Sequence, residues 1–253
     1  MGKLTKFVLT VCFIFCAALA SAQSLFMGVK AGISVPNLTA GGSNPVSAGY
    51  SSILGPYFGI FSELRLKPHF SIQMELNYDA QGGKKNGVQA IPSAEFAPYF
   101  PPGFNAPPYF YASFDSKARL NYLELPILAK FSVPLGGHWK FVIDAGPYVA
   151  CLLNAKTVTV DSSDVYYDPQ EKQDVGVGKQ DFSSNENITS DVHRFNVGVQ
   201  GGVGLQLALG TSRFLYFHVG GNYGFLNIQK YAEDGSNQTG AATIAIGYAV
   251  KMR

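Results

Sequence analysis

The sequence predicts an all-β fold, an eight-stranded antiparallel up-and-down transmembrane β-barrel, and three observations carry that expectation. The first is alternation. In HFSIQMELNYDAQ (69–81), Phe70, Ile72, Met74, Leu76, Tyr78 and Ala80 share one face, while Ser71, Gln73, Glu75, Asn77, Asp79 and Gln81 share the other. Successive side chains of a strand point to opposite sides, so this stretch is a ribbon with one apolar and one polar face. The second is arrangement: the pattern recurs in eight segments, an even number, joined by connections that alternate long and short. Short turns at one rim and long loops at the other are the layout of an outer-membrane barrel. The third is the amino terminus, where Lys3 and Lys6 precede an apolar run over 7–19 and the small-residue stretch Ala20-Ser21-Ala22. That is a secretory signal peptide cleaved near Ala22, leaving a mature chain over 23–253.

The elements follow in order. Residues 24–34 set Leu25, Met27, Val29, Ala31 and Ile33 against Gly28, Lys30, Gly32 and Ser34, and a Gly/Ser/Pro-rich loop over 36–54 comes next. Residues 56–66 set Phe58, Ile60, Leu64 and Leu66 against Tyr57, Gly59, Glu63 and Arg65, and Lys67-Pro68 turns into 69–81. A long insertion, 82–118, threads prolines between Phe96, Tyr99, Phe100, Phe104, Tyr109, Phe110, Tyr111 and Phe114. Prolines lack the N–H a ladder needs, so this insertion reads as a non-strand segment, functional or mobile. The fourth strand, 119–133, sets Leu123, Leu125, Ile127, Ala129 and Phe131 against Tyr122, Glu124, Pro126, Leu128 and Lys130, with a bulge or bend expected at Pro126. The fifth, 138–153, sets Trp139, Phe141, Ile143, Ala145, Val149, Cys151 and Leu153 against Lys140, Asp144, Gly146 and Tyr148.

An acidic loop over 154–190 separates these from the sixth strand, 191–208, which carries Val197, Val199, Val203, Leu205 and Leu207 on the apolar face. The seventh, 213–225, sets Leu215, Phe217, Val219, Tyr223 and Phe225 against Tyr216, His218, Gly220, Asn222 and Gly224. After a loop over 227–239, the last strand sets Ile244, Ile246, Tyr248, Val250 and Met252 against Thr243, Ala245, Gly247, Ala249 and Lys251.

A soluble barrel or sandwich would use the same alternation with the oily face turned inward. Against it stand a charged fraction of only 14 %, a large apolar face with no helix to cover it, and the signal peptide. The outward face then meets outer-membrane lipid, and the mature chain is an integral protein of a Gram-negative outer membrane. A formal charge of +2 and the lack of a basic run interleaved with aromatics exclude nucleic acid as a partner. The polar face becomes an interior charge plug of Lys30, Glu63, Arg65, Glu75, Asp79, Glu124, Lys130, Lys140, Asp144, His218 and Lys251. An eight-stranded barrel is just wide enough for side chains to fill, and buried charges require partners, so the plug is expected to pair across strands. A proton or ion path is the functional alternative. Inward glycines (Gly28, Gly32, Gly198, Gly202, Gly220) make room for the large side chains.

Little points to catalysis. Cys12 and Cys16 leave with the signal, and Cys151 stands alone in an apolar strand. Ser190, Asp191 and His193 are adjacent in sequence near a rim, which does not make a triad. The acidic loop lacks the spacing of a calcium loop, and no cofactor or metal is expected. The aromatic insertion, Phe96 to Phe114, is the candidate partner-binding segment, although it could equally fold over the barrel mouth.

Four stretches, GVKAGI (28–33), LNYLELPILAK (120–130), DAGPYVACLL (144–153) and NYGFLNI (222–228), resemble the PorT-like outer-membrane β-barrel family of Bacteroidota. The resemblance spans the mature chain and implies a barrel domain, with a link to type IX secretion through the family's best-known member. Two functional classes follow: a non-enzymatic barrel displaying loops to envelope or secretion-complex proteins or glycans, and a small pore or transporter for ions or small solutes.

Overall fold

The computed structural model describes residues 24–252. The signal segment expected over 1–22 lies outside the described residues. In chain order the strands are β1 (Ser24–Ala40), β2 (Gly55–Lys67), β3 (Phe70–Lys85), β4 (Val88–Pro92), β5 (Tyr109–Ser113), β6 (Asp115–Gly136), β7 (Trp139–Val160), β8 (Ser162–Ser163), β9 (Gln180–Asp181), β10 (Ser184–Asn187), β11 (Phe195–Ala208), β12 (Arg213–Gly224) and β13 (Asn237–Lys251). Neighbouring long strands pair antiparallel in the order β1-β2-β3-β6-β7-β11-β12-β13. The ring closes where β13 pairs back onto β1, from Phe26↔Lys251 to Ala40↔Asn237. Eight strands thus make a closed up-and-down barrel.

Alternation decides which face each side chain takes. Val29 is 58 % exposed, Ile60 53 % and Ile246 59 %, all on the outer wall, whereas Asn77, Asp79 and Glu124 on the inner wall are fully buried. In the hydrocarbon of a bilayer every backbone polar group must be paired within the protein, which a closed ladder achieves and an open sheet does not. The turns at one end are short: Pro68-His69, Gly137-His138 and 209–212. Ser24, the start of the described chain, and Lys251, the end of the last strand, lie at this same rim.

The structure departs from the sequence reading at the other rim. β6 and β7 each run 22 residues, against a predicted start at 119 and end at 153. At about 3.3 Å per residue such arms reach roughly 70 Å, well beyond the ~9–11 residues a span requires. On the outer wall their upper ends carry Asp115, Lys117, Arg119 and Asn121 of β6 and Asn154 and Lys156 of β7, with Val158 and Val160 beyond, so the continuous apolar run stops there while the backbone ladder continues. The insertion 82–118 is also not free of strands. β4 pairs with β5 from Val88↔Ser113 to Pro92↔Tyr109. The prolines flank this hairpin (Pro92 at its end, Pro107 and Pro108 before its return strand), so no interior ladder position loses its donor.

At Pro126, where a bulge or bend is expected, no register shift is found, while the ladder to β3 is interrupted over Leu125 and Pro126. Met74↔Ile127 and Asn77↔Glu124 keep one register across it, and the irregularities fall instead at Asn121/Tyr122 and Pro134/Gly136.

Ile127 sits midway along the apolar outer run of β6, from Leu123 to Val133. Ile127→Arg should cost about 2–4 kcal/mol in urea titrations of the barrel refolded in lipid vesicles. Gln170→Arg, in an exposed loop, should change nothing measurable. Equal effects would place Ile127 away from lipid.

Candidate functional site

The lumen is layered. Toward the short-turn end Phe26, Phe61, Val142, Phe214, Tyr216 and Ala249 form an apolar cluster. Toward the long-loop end a second cluster gathers Leu38, Leu120, Tyr122, Tyr148, Leu152, Val192 and Ile228 with small residues between them. The charged side chains interleave with both clusters: Glu63 stands opposite Phe26, and Asp79 opposite Tyr122. Space for the lumen side chains comes from inward glycines: a Cβ on Gly202 or Gly220 would strike the His218 ring, and one on Gly198 the Tyr148 ring.

The plug residues form distinct knots. Lys30 Nζ donates to Glu75 Oε2 at 2.6 Å and to the Tyr57 hydroxyl at 2.8 Å. Glu75 also accepts from Gln73, Asn77 and Gln200, so a carboxylate with 2 % exposure is surrounded by donors. Lys130 Nζ donates to Glu63 Oε2 at 2.8 Å and to Gln73 Oε1 at 2.8 Å, while Arg65 Nε reaches Glu63 Oε1 at 2.7 Å. Asp144 meets His218 Nε2 at 3.1 Å and accepts from the Tyr216 hydroxyl at 3.3 Å.

Three features of the expected plug need correction. Lys251 is exposed at the end of β13, outside the plug, because the strand stops pairing beyond it. Arg65 and Lys140 line the mouth at the short-turn rim together with Phe26 and Phe214, where the Arg65 guanidinium stacks on Phe26 at 4.0 Å. Asp79 and Glu124 are not paired with cations. Gln81 Nε2 donates to Asp79 Oδ2 at 3.1 Å and to Glu124 Oε1 at 2.7 Å, and Asn222 Nδ2 bridges the same two groups at 3.0 and 3.4 Å. Asp79 Oδ1, Gln81 Oε1 and the Tyr122 and Tyr148 hydroxyls have no hydrogen-bond partner among the described residues. The amides Gln73, Asn77, Gln81, Gln200 and Asn222 are therefore lumen residues in their own right. Their signal was present in the sequence as inward parity, but a search confined to charges passes over them.

Above the barrel the insertion builds a knob. β4, β5 and the 3-10 turn Ser93–Tyr99 pack Ile91, Phe96, Phe110 and Ala112 against Val165 of the loop after β7. Backbone bonds between Tyr111 and Tyr166, at 2.9 and 2.8 Å, join the two loops. Of the predicted aromatics, Phe96 and Phe110 are buried in this small core and Tyr109, Tyr111 and Phe114 are partly buried. Phe104 stacks on Phe100 at 4.3 Å, and Phe100 in turn on Phe110 at 5.4 Å. Tyr99 (60 % exposed) and Phe104 (39 %) are left facing solvent. The other loops close around the rim through Gly41 N to Ser236 O at 2.8 Å and Asn237 Nδ2 to Ser47 O at 2.8 Å. Tyr50, partly buried in the first loop, has its hydroxyl pushed up to about 12 by burial, with Asp234 adding to the shift.

The Ser190, Asp191 and His193 stretch does not assemble a relay. Asp191 Oδ1 accepts from Ser190 Oγ at 2.8 Å, and the His193 ring has no hydrogen-bond partner among the described residues. In the acidic loop the Asp168 carboxylate is taken up by the backbone N–H groups of Gln170, Lys172 and Gln173.

A closed ring with an apolar outer wall, a charged lumen and unequal loops defines an outer-membrane β-barrel. The chain belongs to the outer membrane protein beta-barrel domain family, whose model matches residues 21–230. Among solved structures it is similar to Neisserial surface protein A, at TM-score 0.43 and 10 % identity over 91 % of this chain and 99 % of that one. It is also similar to OprG from Pseudomonas aeruginosa, at TM-score 0.38 and 11 % identity over 92 % of this chain and 97 % of that one. The outer membrane protease OmpT from Escherichia coli matches at TM-score 0.37 and 10 % identity, over 92 % and 98 % of the two chains. No curated protein matches the sequence.

Removing one partner of a buried pair leaves an uncompensated charge. Lys30→Met should therefore lower stability by about 3–5 kcal/mol in chemical unfolding, and adding Glu75→Gln should restore most of the loss. Equal stabilities for the single and double variants would show that Glu75 does not depend on Lys30.

Proposed function

We propose that this protein is a sealed, non-enzymatic barrel that holds its extracellular knob out to a partner protein or glycan within an envelope or secretion complex. The observation that carries this reading is the pairing of a lumen filled by two apolar clusters with a loop structure that has its own core. A filled lumen leaves the loops as the place for interaction. Loops that spend an apolar core on their own order are preorganised, which lowers the entropy cost of binding. Tyr99 and the outer ring of the Phe104–Phe100–Phe110 stack supply rigid aromatic area at the tip. The likeness to PorT-like barrels supports a secretion or envelope complex as the setting.

Gentle detergent extraction followed by identification of co-purifying proteins and glycans tests this. Tyr99→Ala with Phe104→Ala should release a species that wild type retains, since truncating aromatic anchors costs about 2 kcal/mol or more, roughly thirtyfold in affinity. An unchanged set of partners, with the heat-dependent gel shift intact, would sink the reading.

A second reading, a small pore for ions or small solutes, is favoured by one feature: the Asp79–Glu124 pair, held by amides and flanked by unpartnered oxygens inside the wall. Planar bilayers decide between them. The sealed barrel should show no conductance above background, and a discrete conductance reduced by Glu124→Gln would establish the pore.

A further inference from the structure

The outer wall changes chemistry abruptly on one side of the barrel. On β6 the outward positions from Phe131 up to Leu123 are apolar. Next comes Asn121, whose Nδ2 donates to Asn154 Oδ1 at 2.7 Å. Above that carboxamide pair the outward positions become Arg119 and Lys117, joined by Lys84 on β3 and Lys156 on β7. Lys84 lies directly opposite Lys117, and Arg119 directly opposite Lys156. Like charges placed opposite one another across a ladder repel. None of the four makes an ion pair or a side-chain hydrogen bond among the described residues. Together they line a groove of about 500 Å³ in which Asp115, already bonded to Asn86 at 3.4 Å, is the one carboxylate. Glu186, on the neighbouring β10, pairs with Thr157 and so takes the opposite face from Asn185, which lines the groove.

Position gives the repulsion a purpose. Arg119 stands four residues above Leu123, roughly 13 Å along a tilted strand, which is headgroup height above the hydrocarbon. We propose that Lys84, Lys117, Arg119 and Lys156 form a binding site for the phosphate-bearing headgroup of an acylated glycolipid in the outer leaflet. The acyl chains lie against the apolar wall of Leu123, Leu125 and Leu153 below. A bound phosphate turns two repelling cation pairs into charge-assisted hydrogen bonds. An amphiphile matches the site because charge and apolar wall are stacked in the order of headgroup and chains. The inference rests on the outer-membrane placement and is independent of what the knob binds.

The full mature chain, refolded in zwitterionic detergent, is titrated by native mass spectrometry with a diphosphorylated lipid A and with its dephosphorylated form. The phosphorylated lipid should be retained. Lys117→Glu with Arg119→Glu should weaken it at least about tenfold. The variants Lys117→Arg with Arg119→Lys, Lys172→Glu with Lys179→Glu, and Tyr99→Ala with Phe104→Ala should all bind as wild type does. The heat-dependent gel shift reports folding, and if the charge-reversed barrel fails to fold, Lys84→Gln with Lys156→Gln is read in its place. Equal retention of the dephosphorylated lipid, or indifference to the charge changes, overturns the site. Displacement by inorganic phosphate at equal concentration also overturns it, in favour of a free-anion site. The knob reading survives each of those outcomes, because no partner is present in the titration.

Discussion

A strand crossing hydrocarbon has no water to satisfy its N–H and C=O groups, and the rest of this structure depends on that constraint. Closure of β13 onto β1 answers it by removing both edges of the sheet. Closure also fixes register. A slip of one residue would exchange the faces of a strand, turning Glu75 or Glu124 into lipid and Leu76 or Leu125 into the lumen. The penalty for that exchange is large on every strand, so alternation and closure specify each other.

Once the ring is closed the usual distribution of a protein is inverted. The apolar face is the outside, and the narrow interior has to be filled by side chains that are largely polar. The structure does this in layers. An aromatic cluster around Phe61 and Phe214 packs toward one end, and the cluster around Tyr122 and Leu152 toward the other. The carboxylates are satisfied by whichever donors surround them: lysines for Glu75 and Glu63, amides for Asp79 and Glu124. A lumen organised in this way stabilises the barrel.

The two outer surfaces with distinctive chemistry share one cause. β6 and β7 continue far past the apolar band, so their upper ends, flanked by the top of β3 and by β10, form an arm standing clear of it. The tip of the neighbouring insertion folds into the aromatic knob, and the outward side of the arm carries the cations. Binding a partner above and a charged lipid at the base would anchor the same arm at two heights.

What the sequence determined by itself is the barrel. Period-two alternation, an even strand count and unequal connections depend only on local side-chain order, and Phe70 through Asp79 fall on the faces that order assigns. The inward burial of Lys30, Glu63, Glu75, Asp79, Glu124, Lys130, Asp144 and His218 was legible for the same reason. Tertiary structure decided the rest. Which donor meets Glu124, across 98 residues from Asn222, is set by how the ring curves. The exposure of Lys251 is set by where the last strand ends. The knob and the cation band were hidden because strand length above the bilayer follows pairing with a neighbour. Pairing is a property of two segments at once, whereas alternation can be read from one.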